Sequence, residues 1–127
     1  MPVICIKTLP FEKKPDIPAI LKKLYTRVAG AINYEARHIW SYWQFIEPGN
    51  YAVGDKTSLL TTHDSQSPIV SVLSFEGKKR DEIEKILRTI AEVLSKELNI
   101  DIGNIFITYS EALSGNVFDG GEIVFKK

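Results

Sequence analysis

Residues 2–7 read Pro2-Val-Ile-Cys-Ile-Lys7, and residues 68–75 read Pro68-Ile-Val-Ser-Val-Leu-Ser-Phe75. Both runs are rich in β-branched residues, which favour strands, and both begin with proline, which a strand tolerates at its first position. In each case a stretch of helical periodicity follows, and then another apolar run. The sequence therefore predicts the same β-α-β unit twice, and this duplication decides the fold.

The two copies predict four strands and two helices. The first helix is expected from about Asp16, a residue type suited to an N-cap, to Ile32, and the second from about Lys79 to Leu98. The closing strands are expected at 37–46 and 104–111. Because β-α-β connections join parallel strands, we expect one α/β domain over residues 1–127, with pseudo-repeats at about 2–46 and 68–122. In this fold, a four-stranded mixed sheet carries two helices on one face.

Two further segments lie outside this pattern. Residues 47–67 are polar and contain the turn signal Glu47-Pro-Gly-Asn50, so they predict a long irregular connection of the kind that is often functional. Residues 117–125 predict a short hairpin that turns at Asp119-Gly-Gly121.

The composition excludes several classes of function. Sixteen basic and sixteen acidic residues cancel, and no segment concentrates Lys or Arg, as a nucleic-acid-binding protein would. No apolar run approaches the roughly 18 residues that span a bilayer, and no signal-peptide pattern is present. The lone Cys5 indicates a reducing cytoplasm and is expected to be a buried small apolar residue. We expect no metal, no cofactor, no nucleic acid and no membrane partner.

The predicted sheet has two apolar faces. Ile69, Leu73 and Phe75 alternate with Val70 and Val72, so both sides of this strand need a cover. Two helices cover only one side, and the sequence offers no third helix. Because an exposed apolar face of this size exceeds what monomers tolerate, we expect self-association through the sheet.

Pro2 carries the chemistry that the sequence offers most directly. Removal of Met1 would turn its nitrogen from an amide into a free secondary amine, which can act as a base near neutral pH. The pyrrolidine ring fixes the direction of the lone pair, and the strand holds it in place. Pro68 is internal, so its nitrogen remains an amide, and only Pro2 can act.

These features resemble the tautomerase superfamily, which includes 4-oxalocrotonate tautomerase and macrophage migration inhibitory factor. The stretches Pro68 to Lys78 and Ser110 to Glu122 are similar to the small tautomerase subunit, and Trp40 to Gln44 resembles the carboxymethyl-hydroxymuconate isomerase branch. The resemblance implies that Pro2 is the catalytic base, that the chain forms a homotrimer, and that the sites lie at subunit boundaries.

The sequence departs from the family pattern at the substrate-binding positions. Lys78 stands where small tautomerases have a carboxylate-binding arginine, and it lacks the two-pronged geometry of arginine. Phe106 replaces the second arginine, as an aromatic does in the migration inhibitory factor branch, and Thr108 replaces that branch's asparagine. The active-site phenylalanine falls at Val117, with Phe118 adjacent. The resemblance therefore implies an apolar site with Lys78, Phe106, Thr108 and Phe118 as candidate binding residues.

Two more side chains are candidates on the predicted second strand. Arg37, at its start, is either a ligand for a substrate carboxylate across a subunit boundary or a solvated charge. His38 is more typical of a structural histidine than of a catalyst.

Three functions remain open at the level of sequence. The leading hypothesis is a keto–enol tautomerase for a small, acidic α-keto or unsaturated substrate, with Pro2 as general base and no cofactor. A second uses the charged prolyl amine as an acid in dehalogenation or hydration. A third is a non-catalytic trimeric binding protein of the same fold. Only the first two require loss of Met1.

Overall fold

The computed structural model describes residues 1–126. The helices are α1 (Ile17–Ile32) and α2 (Arg80–Leu98). The strands, in chain order, are β1 (Val3–Thr8), β2 (Trp40–Phe45), β3 (Ala52–Val53), β4 (Lys56–Thr57), β5 (Ile69–Phe75), β6 (Phe106–Ala112), β7 (Val117–Asp119) and β8 (Glu122–Val124). No helix among these residues is both long and apolar enough to cross a bilayer.

The predicted four-stranded mixed sheet is confirmed. Its order is β2-β1-β5-β6, with parallel outer pairs β1–β2 and β5–β6 and an antiparallel central pair β1–β5. Both helices cover one face, where the core is formed by buried aliphatic residues of the central strands and the helices, including Ile4, Ile6, Val70, Val72, Leu24, Val28, Ile86, Ile90 and Leu94. These side chains alternate along the strands because successive residues of a strand point to opposite faces.

Both helices begin and end as their sequences indicate. The carboxylate of Asp16 caps α1 by accepting the amide hydrogen three residues later, and Glu82 accepts from the backbone N–H of Lys79 at the start of α2. Each helix ends at an asparagine in the left-handed conformation, Asn33 with φ 57° and Asn99 with φ 53°. Asparagine adopts this conformation more readily than most side chains, so it stops the helix.

Both closing strands begin later than their sequences predict. Arg37 does not start β2: it lies in a 3₁₀ turn, Ala36–His38, and β2 begins at Trp40. In the second copy the turn is Ile102–Asn104, and β6 begins at Phe106. In each case the backbone first forms hydrogen bonds within a tight turn after the helix cap, before it reaches the neighbouring strand.

Equivalent elements of the two copies lie 66 residues apart, as Pro2 and Pro68 do. The same offset relates hairpin β7–β8 to hairpin β3–β4, and Gly54 and Gly120, at their turns, both have φ +63°. Residues 47–67, expected to be irregular, therefore contain an ordered hairpin. The expected hairpin at the end of the chain is confirmed.

The face of the sheet that points away from the helices is open. It exposes large apolar side chains, and their exposed fractions range from 39% for Ile69 to 58% for Phe106. Leu73, Tyr42 and Trp40 on the same face have intermediate exposures. None of the described elements covers this surface, which we call the open face.

Candidate active site

A pocket of about 450 Å³ lies at the beginning of β1. Its wall comes from the N-terminus, the turn after α1, the end of β5 and the hairpin β7–β8. The residues that line it are Met1, Asn33, Tyr34, Glu35, His38, Phe75, Val117, Asp119 and Val124. Pro2 is fully buried directly behind Met1, and its carbonyl accepts a hydrogen bond of 3.0 Å from the Trp40 N–H. The start of the strand therefore holds residue 2 next to this pocket, which we call the Pro2 pocket.

The amino group of Met1 reports the electrostatics next to Pro2. Burial lowers the pKa of this amine below its ordinary value, the Asp119 carboxylate opposes that shift, and the positive charge of Lys78 adds to it. The net direction is downward, so this environment favours a neutral amine. Loss of Met1 would leave the Pro2 nitrogen as the terminal amine, one residue deeper in the same surroundings.

Lys78 lies beside the pocket within the same chain. Its Nζ donates to the Tyr34 hydroxyl at 3.2 Å and lies 4.5 Å from the centre of the Tyr34 ring. Both interactions hold the flexible lysine over a pocket-lining residue. The structure thus brings one predicted binding residue, Lys78, into the neighbourhood of Pro2.

Arg37 does not line the pocket, and its side chain forms an ion pair with Glu35. Its side chain is 75% exposed, and its Nε donates to Glu35 Oε2 at 2.5 Å. Glu35 and His38 both line the pocket, and their side chains are 4.0 Å apart. Arg37 is therefore near the site, but it neutralises a lining carboxylate instead of lining the pocket itself.

Phe106 and Thr108 lie on the open face, away from Pro2 of the same chain. Phe106 pairs with Ile69, which pairs with Lys7, whereas the residue next to Pro2 pairs with Leu73. Several rows of the sheet therefore separate Phe106 from Pro2 in one chain. These two predicted residues can contribute to a Pro2 site only from another copy.

Phe118 is on the strand that borders the pocket, yet its side chain is 70% exposed. Its neighbours Val117 and Asp119 line the pocket. Since strand residues alternate, Phe118 points to the other side of β7. Val117, the position aligned with the family phenylalanine, is the residue that the structure places in the pocket.

No protein-family model and no curated protein matches this sequence. Solved structures do match. The structure described as Pt0534 inactivated by 2-oxo-3-pentynoate has a TM-score of 0.84 at 11% identity, and covers 96% of this chain and 94% of its own. The asymmetric trimer of wild-type fused 4-OT has a TM-score of 0.80 at 14% identity, with 95% and 94% covered. Malonate semialdehyde decarboxylase has a TM-score of 0.68 at 14% identity, with 93% and 90% covered.

The chain has the fold of the tautomerase superfamily. The resemblance inferred from the sequence is thereby confirmed at the level of architecture: two β-α-β units on one mixed sheet. The agreement extends over nearly the whole length of each chain.

In this tautomerase fold the counterpart of the Pro2 pocket, around Pro68, is filled by the chain itself. Ser67 stands in the place of Met1, and its Oγ donates to Asn104 Oδ1 at 2.7 Å. Tyr51, the counterpart of Val117, donates its hydroxyl to the Ser67 carbonyl at 2.6 Å. Carbonyls of residues 62–65 accept hydrogen bonds from Asp101 and Asn104, the counterparts of Glu35 and His38. The chain thus occupies these two positions at Pro68, whereas Glu35 and His38 line an open pocket at Pro2.

Several lining residues were not among the sequence candidates, and Tyr34, Glu35 and Asp119 are three of them. Tyr34 and Glu35 follow the helix-ending Asn33, and Asp119 begins the predicted turn of the hairpin. The sequence places each of them near an element boundary. Only the three-dimensional arrangement shows that these boundaries meet at Pro2.

Proposed function

We propose that this protein is a cofactor-independent keto–enol tautomerase in which Pro2, freed by removal of Met1, is the general base. The observation that carries the proposal is the burial of Pro2 at the start of β1, next to an open pocket in which the pKa of the Met1 amine is lowered. A proton-abstracting amine must be neutral, and burial next to Lys78 favours the neutral form. The rigid strand behind Pro2 fixes the direction of its lone pair.

The proposed reaction needs no other reagent. The Pro2 nitrogen takes a proton from the oxygen of an enol or from the carbon next to a carbonyl, and the electron pair moves into the conjugated system. The resulting enolate is stabilised by hydrogen bonds and by positive charge, and the prolyl ammonium returns the proton to the other atom. Atoms and charge balance within the substrate and the amine.

The proposed substrate is a small α-keto or unsaturated acid. Lys78 supplies a cation close to the amine, and apolar walls from Phe75, Val117 and Val124 suit a short carbon skeleton. The 2-oxo acid that inactivates Pt0534, one of the structural neighbours, belongs to this chemical class.

We further propose that the protein works as a homotrimer, with Phe106 and Thr108 reaching the Pro2 pocket of a neighbouring copy. The open face offers an exposed apolar surface, and fused 4-OT, which has the same fold, was solved as a trimer. This arrangement would give these two residues access to a pocket that they do not reach within one chain. Arg37 and Phe118 remain candidates for contacts at the rim.

The single buried Cys5 is compatible with the cytoplasm as the proposed location.

A second candidate reaction uses the charged prolyl amine as an acid. Asp119 favours this version because its carboxylate raises the pKa of the terminal amine. One neighbour, malonate semialdehyde decarboxylase, is described with decarboxylase and hydratase activities. The net lowering of the amine pKa makes the base the stronger proposal.

The test compares two forms of the protein that differ by one residue. Untagged protein, shown by mass spectrometry to begin at Pro2, should accelerate ketonisation of the enol of hydroxyphenylpyruvate. A form with alanine inserted before Pro2 converts that nitrogen to an amide and should be inactive, while its circular dichroism and melting temperature stay the same. Equal activity of both forms would show that the proline nitrogen is not the base.

A further inference from the structure

The filled pocket at Pro68 shows how this chain binds oxygen atoms at the turn after α2. Residues 62–65 fill it with backbone carbonyls, and the groups that hold those carbonyls have counterparts in the open pocket. The filling segment therefore acts as an internal template for the ligand of the Pro2 pocket.

Two donors of the filled pocket hold the segment. The backbone N–H of Asp101 donates to the carbonyl of His63 at 2.8 Å. The side-chain amide of Asn104 donates to the carbonyls of Thr62 at 3.2 Å and Ser65 at 3.1 Å. One backbone donor and one side-chain donor, three residues apart, thus bind three carbonyl oxygens.

The open pocket has the same backbone at the corresponding place. Glu35, the counterpart of Asp101, has φ −71° and ψ 134°, against −57° and 131° for Asp101. Both residues directly precede a 3₁₀ turn and follow an asparagine in the left-handed conformation. The N–H of Glu35 is therefore oriented in its pocket as the N–H of Asp101 is in the other.

These donors are free in the open pocket. The Glu35 N–H makes no hydrogen bond within residues 1–126. His38, the counterpart of Asn104, lines the pocket and is half exposed, and its ring nitrogens have no hydrogen-bond partner in that part of the chain. The Glu35 carboxylate would repel an anion, but its ion pair with Arg37 offsets that charge.

We propose that the Glu35 N–H and the His38 imidazole bind the carboxylate of the ligand in the Pro2 pocket, and that Arg37 acts as a positioning residue by neutralising Glu35. This assignment deepens the proposed function and uses the same site. It concerns binding alone, so it stands or falls separately from the role of Pro2.

The test is a titration of ¹⁵N-labelled protein that begins at Pro2 with benzoate, which has a carboxylate but no hydrogen that can enolise. The Glu35 amide resonance should shift in a saturable way. His38→Ala should weaken benzoate binding about tenfold, the value of one charge-assisted hydrogen bond. His38→Asn, which introduces the residue used in the filled pocket, should stay within about threefold of the unaltered protein. Arg88→Ala, on an exposed position of α2, is the control and should not change binding.

A second pair of variants isolates the backbone donor. Glu35→Pro removes the N–H at a φ that proline accepts, whereas Glu35→Ala removes only the side chain. Benzoate should bind more weakly to Glu35→Pro than to Glu35→Ala, provided that both variants show unchanged circular dichroism. Whether or not Glu35→Pro folds, the titration of the unaltered protein decides.

The proposal is overturned if the Glu35 amide does not shift at saturation, if benzoate does not bind, or if His38→Ala binds it as well as the unaltered protein. Pro2→Ala should still bind benzoate. Suppose that benzoate shifts the Glu35 amide and binds more weakly to His38→Ala, but the protein catalyses no ketonisation. That result would refute the tautomerase proposal and support the carboxylate site. Ketonisation without these two binding results would support the tautomerase and refute the carboxylate site.

Discussion

Replacing Asn104 by alanine should destabilise the protein, because Asn104 holds the segment that fills the second pocket. The side chain is 9% exposed and makes three hydrogen bonds, at 2.7 Å to Ser67 Oγ, 3.1 Å to the Ser65 carbonyl and 3.2 Å to the Thr62 carbonyl. At about 1 kcal/mol each, their loss comes to about 2–3 kcal/mol. The expected loss of stability is not larger because Thr62 and Ser65 are exposed. In Asn104→Ala, water can therefore donate hydrogen bonds to their carbonyls in place of the missing amide.

Thermal and urea unfolding measure this loss. For a chain of this length, about 2–3 kcal/mol corresponds to a fall in the melting temperature of about 6–15 °C. Variant and unaltered protein should be compared at one protein concentration, since self-association makes the melting temperature depend on it.

The duplication supplies a matched control. His38 occupies the equivalent position at the open pocket, where no segment of the chain is held, so His38→Ala should change the free energy of unfolding by less than about 0.5 kcal/mol. The reasoning would be refuted if Asn104→Ala cost less than that amount, or if the two variants were equally destabilised.

Three further predictions concern the site and the open face. Lys78 lowers and Asp119 raises the pKa of the Met1 amine, and we expect both charges to act in the same way on the Pro2 amine. Lys78→Ala should therefore move the rising limb of kcat/KM against pH to higher pH, and Asp119→Asn should move it to lower pH; identical profiles would exclude both roles. Leu73→Glu places a charge on the open face, opposite Val3 of the central strand β1, and should convert a trimer to monomers in light scattering after gel filtration. An unaltered protein that is monomeric at micromolar concentration would contradict the proposed assembly. Because we propose that a neighbouring copy supplies the Phe106 ring, Phe106→Ala should lower kcat/KM in the trimer. The same substitution should leave the kcat/KM of the Leu73→Glu monomer unchanged.

Much of the fold follows from local patterns in the sequence. The β-branched runs after Pro2 and Pro68 form strands, as their sequences predict. The two segments of helical periodicity form helices, because their own hydrophobic patterns are enough to define them. The terminal hairpin follows from Asp119-Gly-Gly121, whose glycines supply positive φ.

The boundaries and the site depend on contacts between distant residues. The sequence predicts a strand from Arg37, but the chain leaves α1 through a left-handed Asn33 and completes a 3₁₀ turn before β2 begins. The hairpin in residues 47–67 is made of two-residue strands, too short for an alternation to show. Asp119 and Tyr34 meet at Pro2 only because the sheet order brings the two copies together.

The pH dependence of kcat/KM, measured on protein that begins at Pro2, tests the central claim most directly. A neutral prolyl amine as base predicts that activity rises with pH through a single pKa below that of an ordinary α-amine, about 7.7–8.0. We expect the lower value because burial and Lys78 lower the pKa of the Met1 amine, and the Pro2 amine would lie in the same surroundings. The limb should disappear, together with the activity, when alanine precedes Pro2. Activity that falls as pH rises through that pKa, or a limb that persists in the extended protein, would contradict the account.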